Sequence, residues 1–209
     1  MKSIVTYKSL RLLEIDILHL IDNCNFKQRT LEFAEGSHIR ISQFYGIELL
    51  DFPHEVAMLS LWLAEHQMDN KFFKEFRINT QALPLHNITQ IYCGNACRMD
   101  WNEVCPHSKE EEVYVFGNPP YLGSKLQDGE QKKDISIVFG KIKNAKILDY
   151  ISIWFYLGAK YIREGNAKYA FVSTNSICQG EQVAVLWNEI FRMNKELSFA
   201  YTSFKWTNN

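Results

Sequence analysis

Val113-Tyr114-Val115-Phe116-Gly117-Asn118-Pro119-Pro120-Tyr121 decides how this chain is read. An apolar run with the marks of a short buried strand stops at Gly117, and two consecutive prolines follow almost at once. Neither proline has an N–H to donate, so the sheet ladder cannot continue through them. The residue before a proline is pushed into extended geometry. Asn118 is therefore expected to be held rigidly at the carboxyl end of a strand, the end at which open α/β sheets bind ligands. The bland alternative is an ordinary strand followed by a Pro-Pro turn with an Asx-type cap.

The flanking segments alternate strand and helix patterns. Residues 3–22 carry apolar residues at helical spacing, with Lys8, Arg11, Glu14 and Asp16 between them. After breaks near residues 23–25 and 36–37, Ile39, Ile41 and Phe44 alternate toward a strand. Residues 44–49 then read as a short buried strand that includes Glu48. Asp51 and Pro53 open a helix expected to end near Met68. Residues 70–87 read as a connection with one amphipathic turn, and residues 88–93 as a strand ending in the polar turn Gly94-Asn95-Ala96. Residues 122–133 read as a mobile loop, a candidate lid beside the 118–121 turn. A helix over 144–163 with Gly165 as its C-cap, a strand over 168–173, a helix over 181–191 and a last strand over 199–204 complete the pattern. Strands alternating with helices predict an α/β fold with a mainly parallel sheet and helices on both faces.

Composition sets limits. The chain has 209 residues, enough for one α/β domain with a sizeable core. No apolar run is long enough to cross a membrane, and charges interrupt the N-terminus where a signal peptide would need an apolar stretch. A cytoplasmic protein is expected by default. The five cysteines are odd in number and irregularly spaced, with no C-x-x-C pair and no histidines at zinc-ligand spacing. They read as reduced and structural, and no metal site is expected. The net charge of −1 is low for a lone DNA-binding domain, so any contact with DNA should be local or supplied by a separate part.

Several stretches occur in one order: residues 45–48, 59–67, 93–96, 117–121, 173–182 and 204–206. Together they resemble the methyltransferase part of large single-chain type II restriction–modification enzymes and their relatives in phage defence. That part is a class I, Rossmann-like S-adenosylmethionine-dependent N6-adenine DNA methyltransferase of the Asn-Pro-Pro-Tyr class. The resemblance implies S-adenosylmethionine as cofactor and double-stranded DNA as partner. It implies that Asn118, Pro119, Pro120 and Tyr121 form the catalytic turn, with the Asn118 side-chain oxygen and the Pro119 carbonyl accepting the hydrogens of the target amino group. Tyr121 and Phe204 would stack on an adenine extruded from the duplex, with Trp206 the rival of Phe204. Glu48 would hold the cofactor ribose and Asn95 would lie near its adenine. Lys125, Lys132 and Lys133 would meet phosphate. Glu48, Asn95 and Asn118 should share one cleft, since all three lie at ends of parallel strands.

The family's first strand and glycine-rich loop should precede residues 3–22, and a target-recognition region should follow. On that basis residues 1–209 are expected to be a partial catalytic domain without separate target-recognition or nuclease domains. Such a chain should bind cofactor poorly unless a companion chain or the remaining parts complete it. Two alternatives stand beside this expectation: an Asn-Pro-Pro-Tyr methyltransferase of protein glutamine or RNA, and an inactive remnant that binds a partner.

Overall fold

The computed structural model describes residues 2–24, 36–77, 90–163, 165–201 and 204. The chain divides into two compact units, Met1–Ala96 and Cys97–Asn209.

In the first unit, helix α1 (Lys2–Cys24) packs on helix α2 (Asp51–Phe76), and strand β1 (Tyr45–Glu48) pairs in parallel with strand β2 (Gln90–Cys93). The core takes Tyr7 and Ile15 from α1 and Leu61, Ala64, Met68 and Phe72 from α2. That α2 stripe explains why the helix does not stop near Met68. Successive buried residues at helical spacing carry it on to Phe76, where Arg77 closes it in a left-handed conformation with its N–H on the Phe73 carbonyl. The expected connection from residue 70 is thus helix as far as Phe76. Residues 78–87 of that expectation lie outside the described residues, as do residues 88 and 89 of the second strand. The alternation at Ile39, Ile41 and Phe44 does not give a strand start either. Ile41–Gln43 is a 3-10 turn, closed by the Gln43 side chain accepting from the Arg40 N–H.

The second unit opens with the short helix α3 (Trp101–Val104), capped by Asp100, whose carboxylate accepts from the Asn102 N–H. Strand β3 (Glu112–Gly117) pairs in parallel with strand β4 (Asn166–Phe171), Gly117 opposite Phe171. Between them lie helix α4 (Gly129–Phe139) and helix α5 (Ser152–Tyr161), and helix α6 (Gln182–Arg192) follows. Ile135, Phe139, Leu148, Ile151, Ile153, Leu186 and Ile190 form the core. Among the described residues the four strands pair in parallel, as two two-stranded sheets, one in each unit.

Three expectations for this unit change. The 144–163 helix is only α5. Asn144 adopts a left-handed conformation, Ala145–Ile147 is a 3-10 turn, and Leu148 is extended before α5 begins. Gly165 is not the cap of α5; that is Ile162. Gly165 has φ +97°, and an added Cβ there would lie 2.8 Å from the Lys109 Cα, so the position needs glycine for both reasons. Residues 199–201, the start of the expected last strand, carry no regular structure. Among the described residues no strand pairs with them, and a strand without a ladder leaves its backbone groups to water.

Candidate functional site

β3 delivers Asn118 where the sequence places it, immediately past the carboxyl end of a parallel strand. The Val172 N–H donates to the Gly117 carbonyl at 3.0 Å, so the ladder holds up to the last residue before the turn. Pro119 is buried, whereas Asn118, Pro120 and Tyr121 are exposed. The Asn118 side chain engages no partner among the described residues, leaving its oxygen available as an acceptor. Tyr121 is 45% exposed, so a large part of its ring is open to stacking.

The far side of the turn is fastened by Leu122. Its N–H donates to the Asp149 carboxylate at 2.9 Å. Its carbonyl accepts from the Tyr150 N–H at 2.9 Å and from the Gln127 amide at 3.1 Å. Gln127 is buried and also donates to the Leu148 carbonyl. These bonds fasten Leu122 and Gln127 at the two ends of a short loop. Residues 129–133 are not loop at all. They begin α4 through a capping box, in which the Asp128 carboxylate accepts from the Gln131 N–H and the Gln131 side chain accepts from the Asp128 N–H. Asp149, Gln127 and Leu122 were missed as part of this site. Asp149 did leave a signal, an acid within the apolar run Ile147-Leu148-Asp149-Tyr150-Ile151.

The three lysines differ in surroundings. Lys125 is exposed in the anchored loop, Lys132 is exposed on the first turn of α4, and Lys133 lies 4.0 Å from the Glu130 carboxylate. Glu130 also accepts from Arg98, which donates in turn to the buried Asp134 at 2.6 Å. Asp134 accepts from the Tyr150 hydroxyl as well. Burial raises the Tyr150 hydroxyl well above its ordinary range, and burial pushes the Cys97 thiol up to about 11. This cluster is packed and ionically satisfied, and it braces the Tyr150 end of the segment that holds Leu122.

In the first unit, Glu48 ends β1 and Cys93 ends β2, opposite each other in the parallel register. The Gly94 N–H donates to the Glu48 carbonyl at 2.8 Å, so the two strand ends are joined where Asn95 follows. The Glu48 side chain is exposed and engages no partner among the described residues. An open carboxylate at a strand end is an acceptor for paired hydroxyl donors. His54 donates its Nε2–H to the Ile91 carbonyl at 3.0 Å, which fastens the start of α2 to β2 beneath that turn. Asp51, His54 and Glu55 place one ligand atom each within 4.8 Å of one another, but both acids are exposed and no further donor joins them among the described residues.

Phe204 is 64% exposed and outside regular structure. Trp206 lies outside the described residues.

The parallel strands, the turn after β3 and the joined ends of β1 and β2 match a known family. The model of the MmeI DNA-methyltransferase domain covers residues 3–209. This chain belongs to that family. It is 54% identical over 207 residues to DNA methyltransferase A of Bacillus subtilis (strain 168), across 99% of this chain and 23% of that protein. It also superposes, with a TM-score of 0.86 and 39% identity, on a chain from a structure of the type IIL restriction–modification enzyme MmeI in complex with DNA, covering 99% of this chain and 27% of that one. The fold is the Rossmann-like one of the MmeI methyltransferase domain. The chain spans about a quarter of the length of these relatives.

Proposed function

We propose that this chain is the S-adenosylmethionine-dependent, N6-adenine methyltransferase domain of a restriction–modification or phage-defence enzyme. The observation that carries this reading is the Asn-Pro-Pro-Tyr turn at the end of β3, in a chain of the MmeI methyltransferase-domain family. The likeness to a structure solved with DNA supports double-stranded DNA as the partner. We place the reaction in the cytoplasm; among the described residues no helix is long and apolar enough to cross a membrane.

An exocyclic amino group is a poor nucleophile, because its lone pair is delocalised into the ring. The Asn118 oxygen and the Pro119 carbonyl each accept one amino hydrogen, which draws the nitrogen toward tetrahedral geometry. These fixed dipoles stabilise the charge that develops on nitrogen. Pro120 and Pro119 fix two φ angles of the turn, so the acceptors are set before substrate arrives. Tyr121 stacks on the extruded base, a contact worth about 1–3 kcal/mol in nucleic-acid complexes. Phe204 offers a second stacking face, and Lys125, Lys132 and Lys133 offer charge to phosphate. The Glu48 carboxylate would accept from the ribose hydroxyls of the cofactor, and Asn95 would border its adenine. When bound, the cofactor supplies an electrophilic methyl group.

The experiment is transfer of labelled methyl to adenine-containing duplex by a chain completed with the family's cofactor loop, as wild type, Asn118→Ala and Glu48→Ala, with cofactor titration of each. Asn118→Ala should lower turnover about a hundred- to thousandfold with cofactor affinity nearly intact, the loss expected for one preorganised contact. Glu48→Ala should weaken cofactor binding first. Label found on cytosine, RNA or a glutamine peptide in place of adenine, or unchanged turnover in Asn118→Ala, overturns the assignment.

A further inference from the structure

We propose that Asp149 is a positioning residue, which sets the geometry of the 118–121 turn without touching the acceptor. The proposal rests on the function just assigned to that turn. Asp149 is buried, and no cation among the described residues pairs with its carboxylate. It accepts instead from neutral donors on two different turns. Oδ1 takes the Leu122 N–H at 2.9 Å and Oδ2 takes the Ser176 hydroxyl at 2.8 Å. Its own N–H donates to the Gln182 side-chain oxygen at 3.0 Å, and the Gln182 amide donates to the Ser176 carbonyl at 2.6 Å. Thr174 Oγ1 lies 2.6 Å from the Ser176 hydroxyl.

A buried carboxylate facing only neutral partners is an expensive choice, since an apolar side chain could fill the space. What it holds accounts for it. The two turns it joins follow the two paired strands, β3 and β4, at their carboxyl ends. The 118–121 turn is thus clamped at both ends, at Gly117 by the ladder and at Leu122 by Asp149 and Tyr150. Two prolines remove two φ freedoms in between. Tyr121 makes no hydrogen bond of its own among the described residues, so its ring is aimed by the backbone alone. The residue that fixes Leu122 therefore fixes the stacking face and, through the prolines, the Asn118 acceptor.

The test compares wild type, Asp149→Leu, Asp149→Asn and Ser176→Ala, all in a chain completed with the family's cofactor loop. It reads amide exchange at residue 122, kcat on adenine duplex, KM for S-adenosylmethionine, and thermal unfolding. Asp149→Leu should speed exchange at that amide and lower kcat about a hundredfold, the scale of a misplacement near 1 Å, with cofactor KM unchanged. Asp149→Asn should restore both readouts, because its oxygen still accepts from Leu122 while its amide donates to the Ser176 oxygen. Ser176→Ala keeps the Leu122 bond and releases the other turn, so it should lower kcat by a smaller factor with exchange at residue 122 unchanged. It also serves if Asp149→Leu does not fold. Unchanged exchange or unchanged kcat in a folded Asp149→Leu overturns the proposal. So does unchanged kcat in Ser176→Ala, or an Asp149→Asn variant no better than Asp149→Leu. If wild type transfers no methyl to adenine, the assigned function fails instead, and exchange with and without the Asn rescue still decides whether Asp149 holds the turn.

Discussion

Replacing Asp69 with alanine should cost less stability than replacing Arg11, although the two form one ion pair. Arg11 is 1% exposed, in the core between α1 and α2. Its guanidinium donates to the Tyr7 hydroxyl at 2.7 Å and to Asp69 at 3.0 Å, with a Glu14 carboxylate oxygen 3.5 Å away. It also lies 5.7 Å and 5.8 Å from the Tyr7 and Phe72 rings. Removing one partner of a fully buried pair costs about 3–5 kcal/mol. The Asp69 side chain, however, is 25% exposed and Glu14 remains beside the cation. Water and Glu14 should therefore hold the loss in Asp69→Ala to about 1–2 kcal/mol, in the range of an ordinary charged hydrogen bond. Arg11→Ala removes a long buried side chain, a change worth about 2–5 kcal/mol on the scale of large-to-alanine core substitutions. It also strips the buried Tyr7 hydroxyl of its partner, adding about 1–3 kcal/mol. The two variants should differ by about 2 kcal/mol or more, with Arg11→Met in between because the volume is refilled. Urea titration, with amide exchange of α1 and α2 as the local readout, measures the ranking. An Asp69→Ala loss equal to or above that of Arg11→Ala would refute the claim that water and Glu14 compensate.

Gly158→Ala should destabilise by about 1–3 kcal/mol, because the new Cβ would lie 3.1 Å and 3.2 Å from the Tyr169 ring and 3.3 Å from Phe171. Gly123→Ala, with nothing within 4 Å, is the control, and equal melting points would contradict the packing. Burial pushes Cys97 to about 11 and Tyr169 to about 12, so both are neutral in the fold and ionise more readily when it is lost. Their contribution is complete below the unfolded cysteine value of about 8.5 and is lost as pH rises toward 11 and 12. Melting temperature should fall across that window, less steeply in Tyr169→Phe; a flat profile would remove the claim.

The strands were legible where local chemistry forbids anything else. Gly117-Asn118-Pro119-Pro120 has no donors to continue a ladder, and β3 ends at Gly117. β2 ends at Cys93, again where the apolar run meets a polar turn, while β1 ends at Glu48, one residue short of the expected 44–49. Helix ends were less legible when tertiary packing overrode composition. The helix was expected to end near Met68, yet the buried stripe through Met68 and Phe72 carries α2 on to Phe76. Arg11 looked like one more surface charge at helical spacing; only the partners on α2 make it a core residue. The start of α4 was legible and was misread. Asp128-Gly129-Glu130-Gln131 is a capping box in sequence, hidden by the glycines and lysines around it.

The site divides along the same line. Glu48 and Asn118 follow from the sequence because each stands at the end of a strand. The groups that aim the 118–121 turn do not, because Asp149 lies 27 residues from both Leu122 and Ser176 and no periodicity links the three. A side chain that meets substrate must be presented by a short, stiff piece of backbone, and such pieces carry their own marks in proline and glycine. A side chain that fixes that backbone needs only to arrive from elsewhere with the right acceptor. In the run Ile147-Leu148-Asp149-Tyr150-Ile151, only Asp149 lacks an apolar body to bury. Burying it there costs free energy unless donors meet it, and the donors are the Leu122 N–H and the Ser176 hydroxyl. An acid that interrupts an apolar run is thus a request for donors from outside its own segment. In this fold those donors are found on the turns after β3 and β4, one of them bearing Asn118 and Tyr121.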